Sequence, residues 1–336
     1  MWMLNNSTSY AAERNWIRDK TGQHHWLVAV KATFDIAPNG KLTLADEQPP
    51  PLLAPEFRGD PATTSLLLDS DLLGRKPGTE IVLDAVAHAP GGKPAPHVQV
   101  TLHLGTITKT LVVHGTRVYY HGLAGLSTSA PRPFVTSPIC YENAFGGSDT
   151  SHPDPRTHKI DLRNPVGRGI AIDSKKLDNQ LAHSVEFPDG NFTKVGPAGF
   201  GPIASSWSPR VALAGTYDQH WEKSKKPLLP DDYDDLFTMS SPADQRFAKP
   251  IPGGEVMALL NMSPSGTLRF TLPKIFLAFS SRFGRRAEEH RATLASVLVM
   301  PEKMKLSLVW QSSLEVKANQ VDYLDETIIT EKAYIS

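Results

Sequence analysis

The chain has 336 residues, 40% of them hydrophobic, with 35 Lys plus Arg balancing 35 Asp plus Glu, one cysteine, 28 prolines and 24 glycines. Zero net charge leaves no basic footprint for a polyanion, which argues against nucleic-acid binding. The lone Cys140 excludes an internal disulfide and a cysteine metal set. Proline and glycine cost about 3 and 1 kcal/mol relative to alanine inside a helix, so their abundance points to a mainly β chain with few short helices.

The first residues, Met1-Trp2-Met3-Leu4-Asn5-Asn6-Ser7, lack the positive region and long apolar stretch of a signal peptide. No apolar run approaches the roughly 18 residues of a membrane span. The expectation is a cytoplasmic protein with no membrane partner. The segment from His25 to Ile36 reads as a long strand, Pro38-Asn39-Gly40 as its turn, and Lys41-Leu42-Thr43-Leu44 as the antiparallel return. Prolines between Glu47 and Pro61 impose an extended surface path, and residues 64–73 read as strand or short helix.

A β block follows: Glu80 to Ala87 is a strand, Ala89-Pro90-Gly91-Gly92 a turn, and Val98 to Leu104 alternates strictly. Lys109 to Tyr120 adds two strands broken at Gly115. Such alternation puts one face on a core and the other toward solvent, the habit of antiparallel sheets packed as a sandwich. Between Ser127 and Pro252 the texture turns to proline, glycine and polar residues, too long for an ordinary connection. Strand character returns at residues 255–272 and in a hairpin around Pro301-Glu302-Lys303. Residues 80–104 and 255–272 share a pattern of glutamate, apolar run, proline-glycine turn and alternating return. They are either an internal duplication, giving two related β lobes, or two unrelated hairpins. The organisation expected is one integrated domain (1–336) with a first β lobe (14–126), an irregular motif-rich segment (127–252) and a second β lobe (253–336).

The irregular segment carries its densest information from Gly196 to Phe237. Disordered linkers are poor in large aromatics, whereas this stretch holds two tryptophans, two tyrosines and two phenylalanines. It is therefore expected to be ordered by its own side chains. Thr216 and Gln219 match a capping box, so a helical turn is expected to begin at Tyr217, with Tyr217 and Trp221 on one face. Arg210 is suited to clamp Asp218 through a bidentate fork. Tyr141, Glu142, Phe200, Trp207, Arg210, Tyr217, Asp218 and Trp221 are thus candidates either for stapling this segment or for contacting a partner, since Trp, Tyr and Arg dominate binding hot spots.

Few residues are arranged for chemistry. Twelve histidines show no HExxH, His-x-His or paired cysteines, so no metal is assigned. Asp231-Asp232-Tyr233-Asp234-Asp235 lacks the glycine and distal glutamate of a calcium loop and reads as a solvated helix start. Gly167-Arg168-Gly169 fails as a dinucleotide fingerprint, and no cofactor is assigned. There is no Gly-x-Ser-x-Gly elbow, and Cys140 reads as a buried, inert thiol. Glu142, Asp218 and His220 remain as a hydrolase alternative to a non-enzymatic protein, and a carbohydrate-binding β protein is a third. Arg282, Arg285, Arg286 and Arg291 form the one basic patch, interrupted by Glu288 and Glu289. It is either a solvated loop between strands or a docking edge for an acidic partner.

Several pieces in order resemble one bacterial family. They are Asn5-Asn6-Ser7, Ala12-Glu13-Arg14-Asn15-Trp16, Val30-Lys31-Ala32-Thr33-Phe34, Tyr141-Glu142-Asn143-Ala144-Phe145-Gly146-Gly147, Asn164-Pro165-Val166-Gly167, Gly199-Phe200-Gly201-Pro202-Ile203, Trp207-Ser208-Pro209-Arg210, Ala214-Gly215-Thr216-Tyr217-Asp218-Gln219-His220-Trp221 and Leu229-Pro230-Asp231-Asp232-Tyr233. Together they look like the type VI secretion effector-adaptor family, formerly catalogued as a domain of unknown function. The resemblance implies a cytoplasmic, non-enzymatic adaptor or chaperone that binds a toxic effector and helps load it onto the VgrG spike. It carries over no catalytic residues and does not say which motif residues touch the effector.

Overall fold

A computed structural model describes residues 2–123, 125–190 and 196–332; the last four residues of the 253–336 region lie outside it. The chain is mainly β, with several largely antiparallel sheets and few short helices. Its longest strand, His24–Ile36, pairs antiparallel with Lys305–Val316 on one side and Ala11–Arg18 on the other. Lys305–Val316 continues through the 301–303 hairpin to Thr293–Met300, which runs parallel to Thr79–Leu83. Leu42–Leu44 pairs with the far end of His24–Ile36 across the Asn39-Gly40 turn, as its sequence signals.

Alternate residues of the long strand go to different cores. Trp26, Val28, Val30, Ala32 and Phe34 join the large apolar cluster, while Leu27 and Ala29 pack on Leu72, Val82, Leu298 and Val309. Burial on both faces is why this strand reads as nearly unbroken apolar sequence. A second sheet holds His97–Leu104, Ile107–His114, Val256–Leu260 and Thr267–Thr271. A third runs in the order Met3–Asn6, Leu324–Lys332, Phe276–Phe283, Arg286–Arg291. Val30, Leu102 and Phe279, one from each sheet, belong to the same core.

The topology rejects the duplication. Thr79–Leu83 and His97–Leu104 lie in different sheets, whereas Val256–Leu260 and Thr267–Thr271 are neighbours in one. Residues 80–104 therefore form no hairpin equivalent to 255–272. Moreover, Val256–Leu260 pairs directly with His97–Leu104, so strands from the 14–126 and 253–336 regions share sheets. Among the described residues no helix is long and apolar enough to cross a membrane.

Candidate partner-binding surface

The motif pieces meet one another in space. Tyr141 is only 2% exposed, and its ring is approached so closely by Gly199 that a Cβ there would fall 2.3 Å from a ring carbon. Only glycine fits that contact. The Tyr141 hydroxyl donates to the Gly201 carbonyl at 2.6 Å, and Trp207 stands edge-on to the Tyr141 ring at 5.7 Å. Asn164 donates its amide to the carbonyls of Tyr141 (2.8 Å) and Phe145 (3.0 Å). Phe200, 0% exposed, offers its carbonyl to Leu83 N–H and to the Gln245 amide, which fastens the segment to the sheet. Glu142 accepts from the Ser65 amide (2.7 Å) and hydroxyl (2.9 Å). Burial opposes its ionisation, but the Ser65 bonds outweigh it and hold the carboxyl below its usual range. Burial, reinforced by Glu142, pushes the Cys140 thiol up to about 11.

Arg210 is held elsewhere than the fork with Asp218 anticipated. It is 1% exposed and pairs with Asp69 at 2.6 Å. It also donates to the carbonyls of Ile203 (2.7 Å) and Phe237 (2.9 Å) and lies over the Phe237 ring at 5.3 Å. Two interior carbonyls take its Nε and Nη1, and Nη2 is paired in charge with the sheltered Asp69 carboxylate without forming an aligned hydrogen bond, while Asp218 is spent at the surface. There Asp218, and not Thr216, caps the helix α1 (Gln219–Ser224) by accepting from Trp221 N–H at 2.9 Å. The expected capping box does not form, because Asp232 takes both the Thr216 amide (2.9 Å) and hydroxyl (2.7 Å). The helix consequently starts after Asp218. Tyr217 and Trp221 nevertheless meet, their rings T-shaped at 4.7 Å. Within the acidic run, Asp234 caps a 3-10 turn at Asp235–Thr238, in line with the helix-start reading.

The named aromatics thus divide. Tyr141, Phe200 and Trp207 are buried, whereas Tyr217 is 53% exposed and Trp221 half-buried, its indole N–H bonded to the Leu228 carbonyl at 2.8 Å. Beside them lies a 420 Å³ cleft lined by Trp2, Trp16, Arg18, Pro227, Leu228 and Leu229. Trp26 in the core touches Trp16 (4.9 Å), which touches exposed Trp2 (6.0 Å), so an aromatic column runs from interior to cleft. Lys20 ties this wall to the 227–233 turn through the Asp231 and Tyr233 carbonyls. Trp2, Trp16, Leu228 and Leu229 are absent from the sequence-derived candidates; three tryptophans within the first 26 residues were the available signal.

The basic patch is no loop. Phe276–Phe283 and Arg286–Arg291 form a hairpin about Gly284-Arg285, with Gly284 at φ +60°. Arg282 pairs with Glu326 and Arg286 with Glu288, while Arg291 lines a cleft of about 850 Å³. His290, in the wall of that cleft, contacts the Ser281 and Ser312 hydroxyls. Burial pushes its pKa down to about 4, against a weaker opposing pull from Glu289. The folded state thus binds fewer protons than the unfolded one between these values, so stability is present above about 6.5 and declines as pH falls from about 6.5 to about 4. His290→Asn should remove that part of the decline, which urea titrations at stepped pH would read.

No group of three or more His, Cys, Asp or Glu side chains that could hold a metal is found among the described residues. Fold and site define a mainly β protein whose motif-rich segment is locked to the sheet at one end and carries an aromatic pair to the surface at the other. The family model described as "Uncharacterized protein conserved in bacteria (DUF2169)" matches residues 21–311, and the chain belongs to that family. No curated protein and no solved structure matches it.

Proposed function

We propose that this protein is a cytoplasmic type VI secretion adaptor, without enzymatic activity, that binds a toxic effector and assists its loading onto the VgrG spike. The observation that carries the reading is the Tyr217–Trp221 pair: aromatic, partly exposed, and held by the Asp218 cap and the Asp232 bonds to Thr216. A rigid aromatic offered to solvent gives contact area at small entropic cost. Motifs resembling the adaptor family, and membership of a bacterial family spanning most of the chain, support it. Of the hydrolase candidates, Glu142 and Asp218 already serve Ser65 and the α1 amide of Trp221, and the His220 ring stands 3.4 Å from the Ser224 hydroxyl. Deleting the protein in its native bacterium should abolish secretion of the effector encoded beside it while leaving effector synthesis intact. Undiminished secretion would overturn the proposal.

A further inference from the structure

Arg286–Arg291 is the terminal strand of its sheet, and beside it lies the 850 Å³ cleft. The amides on its free side follow from the turn. A two-residue hairpin loop closes on a hydrogen-bonded pair, here Phe283 and Arg286, and bonded and non-bonded pairs then alternate along an antiparallel ladder. With the register Ser281↔Glu288, Ser280↔Glu289, Phe279↔His290 and Ala278↔Arg291, Glu288 and His290 face the hairpin partner. Ala287, Glu289 and Arg291 turn their N–H and C=O groups outward. The Ser312 hydroxyl reaches the Arg291 carbonyl from that side at 3.0 Å, as this assignment requires.

The lining also includes Pro250-Ile251-Pro252, whose two prolines have no N–H to offer a neighbouring strand. Phe276, Ile251 and Trp310 supply apolar lining. Arg291 and Lys332 lie in register with Ala278 and Phe276 on the two sides of their strand, so two cations bracket the apolar side chains. Neither has an ion-pair partner among the described residues, and His290 beside them is neutral at neutral pH. Glu289 is the one carboxylate in the lining.

We infer that this edge takes up an extended segment of the effector as an added antiparallel strand, with an apolar side chain of that segment in the cleft and an acidic one against Arg291 and Lys332. The source of the segment rests on the adaptor reading; the strand geometry does not. It is a second contact for the client, on elements other than the Tyr217–Trp221 surface.

A displayed library of random dodecapeptides panned on the intact protein tests it. Recovered peptides should alternate apolar and polar residues, include Asp or Glu, and slow hydrogen exchange at the Ala287, Glu289 and Arg291 amides. Glu289→Pro removes an outward N–H that the fold does not use, which an edge strand tolerates. It should keep the wild-type melting profile and weaken peptide binding at least tenfold, as should Arg291→Glu. Glu288→Pro, which breaks the ladder itself, gives the reference for a lost hairpin. Failure to enrich any peptide, protection elsewhere, or equal binding to folded Glu289→Pro would overturn the inference. In a parallel arm with the neighbouring effector, capture by wild type and Glu289→Pro alike sinks the edge contact but not the adaptor. Peptides at the edge with no effector capture by wild type sink the adaptor reading and leave the edge a strand acceptor.

Discussion

Arg210→Ala is expected to destabilise the protein by about 3–5 kcal/mol, the cost of removing one partner from a buried ion pair. The substitution strands Asp69, whose side chain is 10% exposed against Arg210, and frees the Ile203 and Phe237 carbonyls together. Those two carbonyls lie on opposite sides of the family-like stretch, so the 203–210 and 235–238 turns lose their common anchor. Arg210→Lys should recover little, because a single ammonium cannot reach a carboxylate and two carbonyls at once. Chemical denaturation of the three proteins reads this directly. A loss below about 1 kcal/mol for the alanine variant would mean that the anchor is redundant.

Lys76→Ala should be of similar size, about 3–5 kcal/mol, by a different route. Lys76 and Glu80 are both buried beneath the irregular segment, Lys76 bonded to Glu80 and to the Ser296 hydroxyl. Glu80 also accepts the Ser241 amide at 2.8 Å, joining strand Thr79–Leu83 to the return of the segment. Burial opposes ionisation of Glu80; Lys76, followed by the Ser241 amide, overcomes it and keeps the carboxyl below its ordinary range. Without the ammonium, a carboxylate is left charged in the interior or must take up a proton. Lys76→Met with Glu80→Gln should regain most of the loss, since the glutamine carbonyl still accepts from Ser241 and no charge is buried. If the double variant were as unstable as Lys76→Ala, the charge would not be what the site depends on.

Individual strands were readable because their signal is local. Alternation marks His97–Leu104, the asparagine-glycine pair marks the turn after Ile36, and Pro301 marks the last hairpin. Which strands become neighbours was not readable. The parallel pairing of Thr79–Leu83 with Thr293–Met300 joins distant parts of the chain, and nothing in the local period of either specifies the other. The same limit explains the false duplication: the two patterns are alike locally, but the Pro90-Gly91 turn carries the chain from one sheet to another.

The site divides in a comparable way. The aromatics of the 196–237 stretch signal an ordered segment, but its anchors come largely from outside it, from Tyr141, Asp69, Leu83 and Gln245; Tyr217 and Trp221 meet although Tyr217 precedes the helix that the spacing argument assumed. Arg210's partner was not readable, because Asp69 lies far back in the chain among many carboxylates of equal promise. The cap was misplaced by two residues for a local reason: Thr216 and Asp218 both compete for the helix start, and Asp232 settles the contest from outside the window that a capping motif considers.

The adaptor account depends most on the exposed aromatic pair. Tyr217→Ala should change unfolding free energy by less than about 0.5 kcal/mol, as surface replacements generally do. Capture of the neighbouring effector from native cytoplasm, quantified against wild type with folding verified in parallel, should nevertheless fall at least tenfold. A folded Tyr217→Ala protein that captures the effector as well as wild type does would contradict the assignment of this surface to the client.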